Sequence, residues 1–259
     1  MNLSFLLRTE AWQIALLLFV FMILFIWVGR IIGNRVRING KENDKFSETS
    51  GLTGLLFFLL AFTFGMSGSR YDARRQIVIE EANDIGTAIL RADLYPDSIR
   101  QLFRNDFKEY VEARVTYYEV GADVQGVMDA HALSQAISER LWIRASNLAK
   151  DPANLAATQQ MIPALNTMID VTTSRLAGEK AKVPESILLM LFFLALISAF
   201  YGGYTAGRKG AIDWLVEVGF CLLVCLVVLF TLDLDRPRRG FVTMEGPHQT
   251  IVELREMFK

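Results

Sequence analysis

The sequence predicts an all-α membrane protein, with four transmembrane helices in two hairpins and a helical extramembrane insert between them. Three observations predict it. Hydrophobic residues make up 52% of the 259-residue chain and the mean hydropathy is +0.30, above a typical soluble protein and below an all-membrane transporter. Four apolar runs have the length needed to cross a ~30 Å hydrocarbon core. The polar stretch between the second and third runs has the three-and-four spacing of helices and no strand-like alternation of useful length.

The first span, Ala11 to Ile32, reads AWQIALLLFVFMILFIWVGRII and is uncharged until Arg30. It is too long for the apolar part of a secretory leader, only Arg8 precedes it, and no small-x-small cleavage site follows, so it reads as a retained anchor. The second span, Leu52 to about Ser69, is shorter. Its Gly51, Gly54, Gly65 and Gly68 are expected to favour close helix packing. The third, Pro184 to about Tyr204, opens with Pro at a helix N-terminus, where a missing N–H costs little. The Gly-rich GGYTAGRKG, Gly202 to Gly210, reads as the turn before the fourth span, about Trp214 to Leu232. Cys221 and Cys225 lie one helical turn apart in that span, a poor disulfide geometry, and read as small apolar packing residues. The organisation is therefore a first membrane hairpin at 1–69, a helical domain at 70–183, a second hairpin at 184–232 and a C-terminal tail at 233–259.

Within the insert, SIRQLFRNDFKEYVEARVTYYE places Ile99, Leu102, Phe103, Phe107, Tyr110, Val111, Val115 and Tyr118 on one helical stripe. Pro96-Asp97 starts that helix. Further helices are expected near Ala130–Leu148 and Leu155–Leu176, the latter with Met161, Ile162, Leu165, Met168 and Ile169 on one side. No firm helix stop occurs between Leu52 and Arg91, although Gly65 and Gly68 permit a bend. An unbroken helix there would be roughly 60 Å long, twice the bilayer core. Its apolar positions Val78, Ala82, Ile85 and Ile89 continue at helical spacing beyond Arg70.

The residues at that exit carry a resemblance. Leu60-Ala61-Phe62 followed by Arg70-Tyr71-Asp72-Ala73-Arg74 resembles the second membrane helix of bestrophins, where an apolar run leads into an Arg-aromatic-aromatic-Glu-Ala-Arg signature. RLAGEKAKVPES, with Arg175 and Pro184, resembles the family's approach to its third membrane helix. DLDRPRRG, with Asp233, Asp235 and Pro237, resembles the acidic-x-acidic-x-Pro segment after the fourth. EEANDIGTAILRADLYP is similar to the prokaryotic bestrophin-like group, and the order of elements matches along nearly the whole chain. The resemblance implies a homopentamer whose second helices line a central pore, with a helical vestibule beyond the membrane. It places a three-layer pore neck at Gly54, Phe58 and Phe62. Gly54 departs from the branched aliphatic residue expected there, so one layer is reduced.

Each candidate site has a plainer reading beside the functional one. Phe58 and Phe62 share a helix face and form a candidate hydrophobic constriction; the alternative is contact with lipid or neighbouring helices. The basic/aromatic cluster Arg70, Tyr71, Asp72 and Arg74 reads either as a helix-end anchor to carbonyls and lipid phosphates or as intersubunit ion pairs. Glu217 lies inside a span and is a functional candidate by position, but Asp213, Arg208 and Lys209 are near enough to pair with it structurally. Asp233 and Asp235 resemble part of a region that binds calcium in animal relatives. Two carboxylates do not make a cage of six to eight oxygens, so a local salt-bridge cluster with Arg236, Arg238 and Arg239 is expected. Glu80, Glu81 and Asp84 read as a solvated face or, alternatively, an acidic vestibule lining.

The formal net charge of −1 gives no basic surplus for nucleic acid. His131 and His248 lie in unrelated segments, and no Walker-type, GxSxG, HExxH or CxxC motif is present, so neither enzyme, cofactor nor metal is expected. Positive charges are nearly balanced across the spans. Arg30, Arg35, Arg37, Lys41, Lys45, Arg208 and Lys209 sit in the hairpin loops, against Arg8, Arg236, Arg238, Arg239 and the ends of the insert. The family arrangement puts the insert and both termini in the cytoplasm, in an inner (plasma) membrane. The expected function is passive conduction of chloride or a monovalent cation. A non-conducting membrane scaffold docking a partner through the insert is the alternative.

Overall fold

The computed structural model describes residues 9–38, 49–236 and 238–259; Arg8, Lys41, Lys45 and Pro237, which entered the reading above, lie outside the described residues. Among those residues the regular elements are helices. They are α1 (Ala11–Ile38), α2 (Thr49–Ala92), α3 (Asp97–Glu119), α4 (Val124–Leu148), α5 (Leu155–Lys180), α6 (Glu185–Lys209), α7 (Trp214–Leu234) and α8 (Glu245–Glu253). Short 3₁₀ turns occupy Pro152–Asn154 and Leu254–Phe258. The chain forms two compact units, Met1–Ser69 with Lys182–Arg236, and Arg70–Ala181 with Pro237–Lys259. The expected breaker-free helix is a single α2, which gives its first part to one unit and its second part to the other.

α1, α2, α6 and α7 are long and apolar enough to cross a membrane. In their unit α1 is the hub, packed most extensively against α6 and next against α7. Met22 and Ile26 of α1, Leu56 and Leu60 of α2, Ala195 and Ala199 of α6, and Cys221 and Val224 of α7 form one buried core. Cys221 and Cys225 are free and buried there, with the Cys225 sulfur 4.0 Å from that of Met22.

Backbone contact explains the α1–α6 intimacy. A Cβ on Gly203 would lie 1.9 Å from the Ile26 carbonyl oxygen, and one on Gly29 would lie 2.1 Å from that of Phe200. Gly33 and Gly207 repeat the arrangement one turn on, so two glycine pairs spaced by four residues face each other. This corrects two expectations. Gly202–Gly210 is not the turn between spans: it is the last part of α6, and the helix ends only at Gly210, whose φ of 81° is left-handed. The glycines of the second span make no close approach among the described residues, where nothing lies within 4 Å of a Cβ placed on Gly51, Gly54, Gly65 or Gly68.

The second unit is built around the amphipathic stripe of α3. Phe103, Phe107, Tyr110 and Val111 are fully buried against Ile85 and Ile89 of α2, Leu141 of α4, Met161, Leu165 and Met168 of α5, and Ile251 of α8. Leu102, counted in that stripe, is instead 49% exposed. α3 begins directly after Pro96, as its sequence predicted. α4 begins earlier than Ala130, because Asp123 caps it by accepting a hydrogen bond from the Gln125 N–H at 3.1 Å. The C-terminal stretch packs in this unit as well. α8 buries Ile251 and His248, and Arg255 after it pairs with Glu112 through both carboxylate oxygens at 2.9 and 2.6 Å.

Candidate functional site

Phe58 and Phe62 lie one turn apart on α2, and their rings stack with centroids 6.5 Å apart and planes 15° from parallel. They remain 66% and 54% exposed, although they belong to an apolar membrane-length segment. Gly54, one turn earlier, is exposed on the same side. The opposite side of the helix carries Leu56, Leu60, Thr63 and Ser67, all essentially buried. Thr63 satisfies its hydroxyl inside the helix by donating to the carbonyls of Leu59 and Leu60. Among the described residues of one chain, then, the Gly54–Phe58–Phe62 face is largely uncovered, whereas the other face is buried.

The basic/aromatic cluster divides between inside and outside of the second unit. Arg74 is only 5% exposed and donates to the carbonyl oxygen of Ala181, which caps the C-terminus of α5. The Tyr71 hydroxyl donates to the Thr243 carbonyl at 3.2 Å. Asp72 is exposed and Arg70 half-buried.

Below Arg74 lies a buried ionic network that the sequence did not reveal. Glu81 is fully buried and takes one hydrogen bond from Arg114 and another from Arg175. Glu81 therefore does not belong to a solvated acidic face. Burial by itself would raise its pKa, but the two guanidiniums outweigh burial and hold it below the ordinary glutamate range. The Tyr117 ring is contacted by three guanidiniums, those of Arg114, Arg175 and Arg238, at 4.5, 5.0 and 4.4 Å from its centroid. The Tyr117 hydroxyl and Arg238 both donate to Glu179. Arg238 also donates to the Tyr117 and Gly121 carbonyls, so this residue of DLDRPRRG joins the network. A signal for Glu81 existed: it falls three residues after Val78 and four before Ile85, on the packed side of its helix.

The remaining acidic candidates are placed as follows. Asp213 is the N-cap of α7, accepting from the Leu215 and Val216 N–H groups. Glu217 lies beside Gly202 of α6, where a Cβ would come within 2.9 Å of its carboxylate; the missing side chain makes its space. Asp233 and Asp235 are buried, and Asp235 accepts the Val183 N–H at 2.8 Å, fixing the chain just ahead of α6. Arg236 donates to the Thr9 carbonyl. Among the described residues no group of three or more His, Cys, Asp or Glu side chains converges on a point that would hold a metal.

His248 is buried on α8 and stacks on Tyr118, with ring centroids 4.1 Å apart. Burial, and then the positive charge of Arg175, push its pKa down from 6.5 to about 4. The folded protein thus binds fewer protons than the unfolded chain between those values, and stability falls as pH drops through that interval. His248→Phe, which keeps the stack, is expected to flatten the pH dependence of thermal unfolding between pH 6.5 and about 4. An unchanged slope would rule His248 out as its source.

A sequence model of the family described as Bestrophin-like domain matches residues 14–245. No curated protein and no solved structure matches the chain.

Proposed function

Because the chain belongs to the bestrophin-like family and is a multi-pass membrane protein, we propose that it is an ion channel whose α2 helices surround a central pore. The observation that carries this reading is the uncovered face of Gly54, Phe58 and Phe62 on a helix whose other face is buried. A single α2 cannot enclose an axis, so the pore requires several copies of the chain, five by the family arrangement. Phe58 and Phe62 then form aromatic rings around the axis that hinder hydrated ions by dewetting. The small Gly54 leaves the first layer wide. Arg70, Tyr71, Asp72 and Arg74 mark the level at which α2 leaves the membrane. The second unit forms the vestibule and, with both termini, faces the cytoplasm across an inner (plasma) membrane.

The test is macroscopic current from purified protein in planar bilayers. Phe58→Ala with Phe62→Ala is expected to raise the current several-fold over wild type, with a reversal potential that follows the salt gradient. Silence from both, with folded and inserted protein, favours the scaffold reading instead. The exposed apolar residues that such docking would use in the second unit include Leu90 and Leu94, and Val124, Met128, Leu133 and Ile143 of α4.

A further inference from the structure

We propose that the second unit carries a binding cleft for a small neutral polyol of monosaccharide size, lined by α4, α5 and Tyr110 of α3. This inference does not rest on the pore. The cleft has a volume of about 260 Å³, close to the lower end of small-molecule sites at about 300–1,000 Å³. Ser134, Ser138, Glu139 and Trp142 supply its α4 wall. They are four, one and three residues apart and so share one face of that helix. Thr172 stands on the α5 wall.

The Tyr110 hydroxyl is the observation that points to a ligand. Tyr110 is fully buried at the cleft, and among the described residues its hydroxyl has no hydrogen-bond partner. Burial pushes its pKa above the ordinary tyrosine value, so the proton stays and the group remains a donor. A buried donor without an acceptor loses its hydration and gains nothing in exchange. The wall hydroxyls are different, because their protons are already spent. Ser134 donates to the His131 carbonyl at 2.8 Å, Ser138 to that of Ser134 at 2.9 Å, and Thr172 to that of Ile169 at 2.7 Å. Each therefore offers the cleft lone pairs and no proton. Glu139, exposed at the rim, adds two carboxylate oxygens.

The complement of several acceptors and one phenolic donor is a molecule that donates repeatedly and also accepts. A carbon skeleton bearing successive hydroxyls does both. Trp142 and Ile169 supply apolar surface for its C–H side. Charge argues against ionic ligands. Among the described residues no lysine or arginine lines the cleft, so an anion would lack a counter-charge there. An organic cation is disfavoured at the inner end, where the Arg114 guanidinium lies 3.5 Å from the Ser134 hydroxyl.

The experiment is isothermal titration of D-glucose and of myo-inositol into the full chain. A zwitterionic detergent is used, because sugar-headed detergents would compete for the cleft. Saturable binding of at least one of the two is expected, at one molecule per chain. The unfolding midpoint should rise and level off over the same concentrations. General stabilisation by excluded polyols, by contrast, grows without saturating. Tyr110→Phe removes only the orphan hydroxyl, so unfolding of the ligand-free protein should be unchanged or slightly later, while binding weakens about tenfold. Glu139→Gln at the rim should weaken binding several-fold with unfolding unchanged. Unsaturable responses to both polyols, or equal affinity in wild type and both variants, would overturn the site. Saturable binding of choline or acetate where neither polyol binds would overturn the neutral-ligand assignment. All of these outcomes are read without current, so the pore and the cleft stand or fall separately.

Discussion

Glu81→Ala is expected to destabilise the second unit by about 3–5 kcal/mol, the cost of removing one partner from a buried ion pair. The side chain is fully buried, and its loss leaves Arg114 and Arg175 without the carboxylate both of them meet. That is a large share of the ~5–15 kcal/mol that holds a typical domain folded. The measurement is thermal unfolding of purified protein by circular dichroism at neutral pH. Glu81→Leu combined with Arg114→Met and Arg175→Met, which removes all three charges, should recover much of the loss. An unaltered midpoint in Glu81→Ala alone would show that the network contributes nothing. The pH dependence has a definite sign. The folded pKa of Glu81 lies below its ordinary value of 4.5, so its stabilisation is complete above that value and is lost as pH falls through the folded pKa. Wild type should therefore lose stability in acid below about pH 4.5 more steeply than Glu81→Gln.

Gly203→Leu is expected to prevent the membrane unit from assembling. The nearest obstacles to a Cβ at this position are the Ile26 carbonyl oxygen at 1.9 Å, its carbon at 2.6 Å and its Cα at 2.7 Å, all of them main-chain atoms. Overpacking a core costs about 1–3 kcal/mol where side chains can shift; here α1 and α6 must separate bodily, and the cost exceeds that range. Between lipid-solvated helices no hydrophobic term compensates, because association rests on close van der Waals packing. The expected result is loss of most of the monodisperse protein in detergent, read by size-exclusion chromatography. Gly219→Ala, where nothing lies within 4 Å of the added carbon, should retain wild-type yield. Equal yields from the two variants would show that α1–α6 contact is not what holds the unit together.

The same residues show where the sequence was legible. Apolar runs identified α1, α2, α6 and α7, because the bilayer demands a length and composition that few other structures share. The spacing of Phe103, Phe107, Tyr110 and Val111 identified α3 and its buried side, since one helix face must be covered. The missing breaker beyond Leu52 identified the continuity of α2. The neck candidates were placed by a resemblance, and Phe58 and Phe62 share a face simply because they are four residues apart.

Two misreadings have one physical origin. Glycine was taken as punctuation at Gly202–Gly210 and as a packing device at Gly51–Gly68; instead Gly203 and Gly207 touch α1 backbone and only Gly210 ends a helix, while nothing among the described residues lies within 4 Å of a Cβ on Gly51, Gly54, Gly65 or Gly68. A glycine's role depends on what approaches it, and that is a property of the partner helix. Likewise Glu81 joins Arg114 and Arg175, which are 33 and 94 residues away. Local spacing from Val78 and Ile85 puts Glu81 on the packed side of its helix, but nothing local identifies the two guanidiniums it meets there.

The sequence by itself determined the membrane spans, the family and every long helix but not α8 of the tail, because hydrophobic period, span length and helix-terminal chemistry act over neighbouring residues. Only the tertiary structure decided which glycines touch backbone, which charges of α2 are buried and which are left facing outward. Those outcomes depend on pairings between distant segments, where close packing and the cost of an unpaired buried charge select one partner among many.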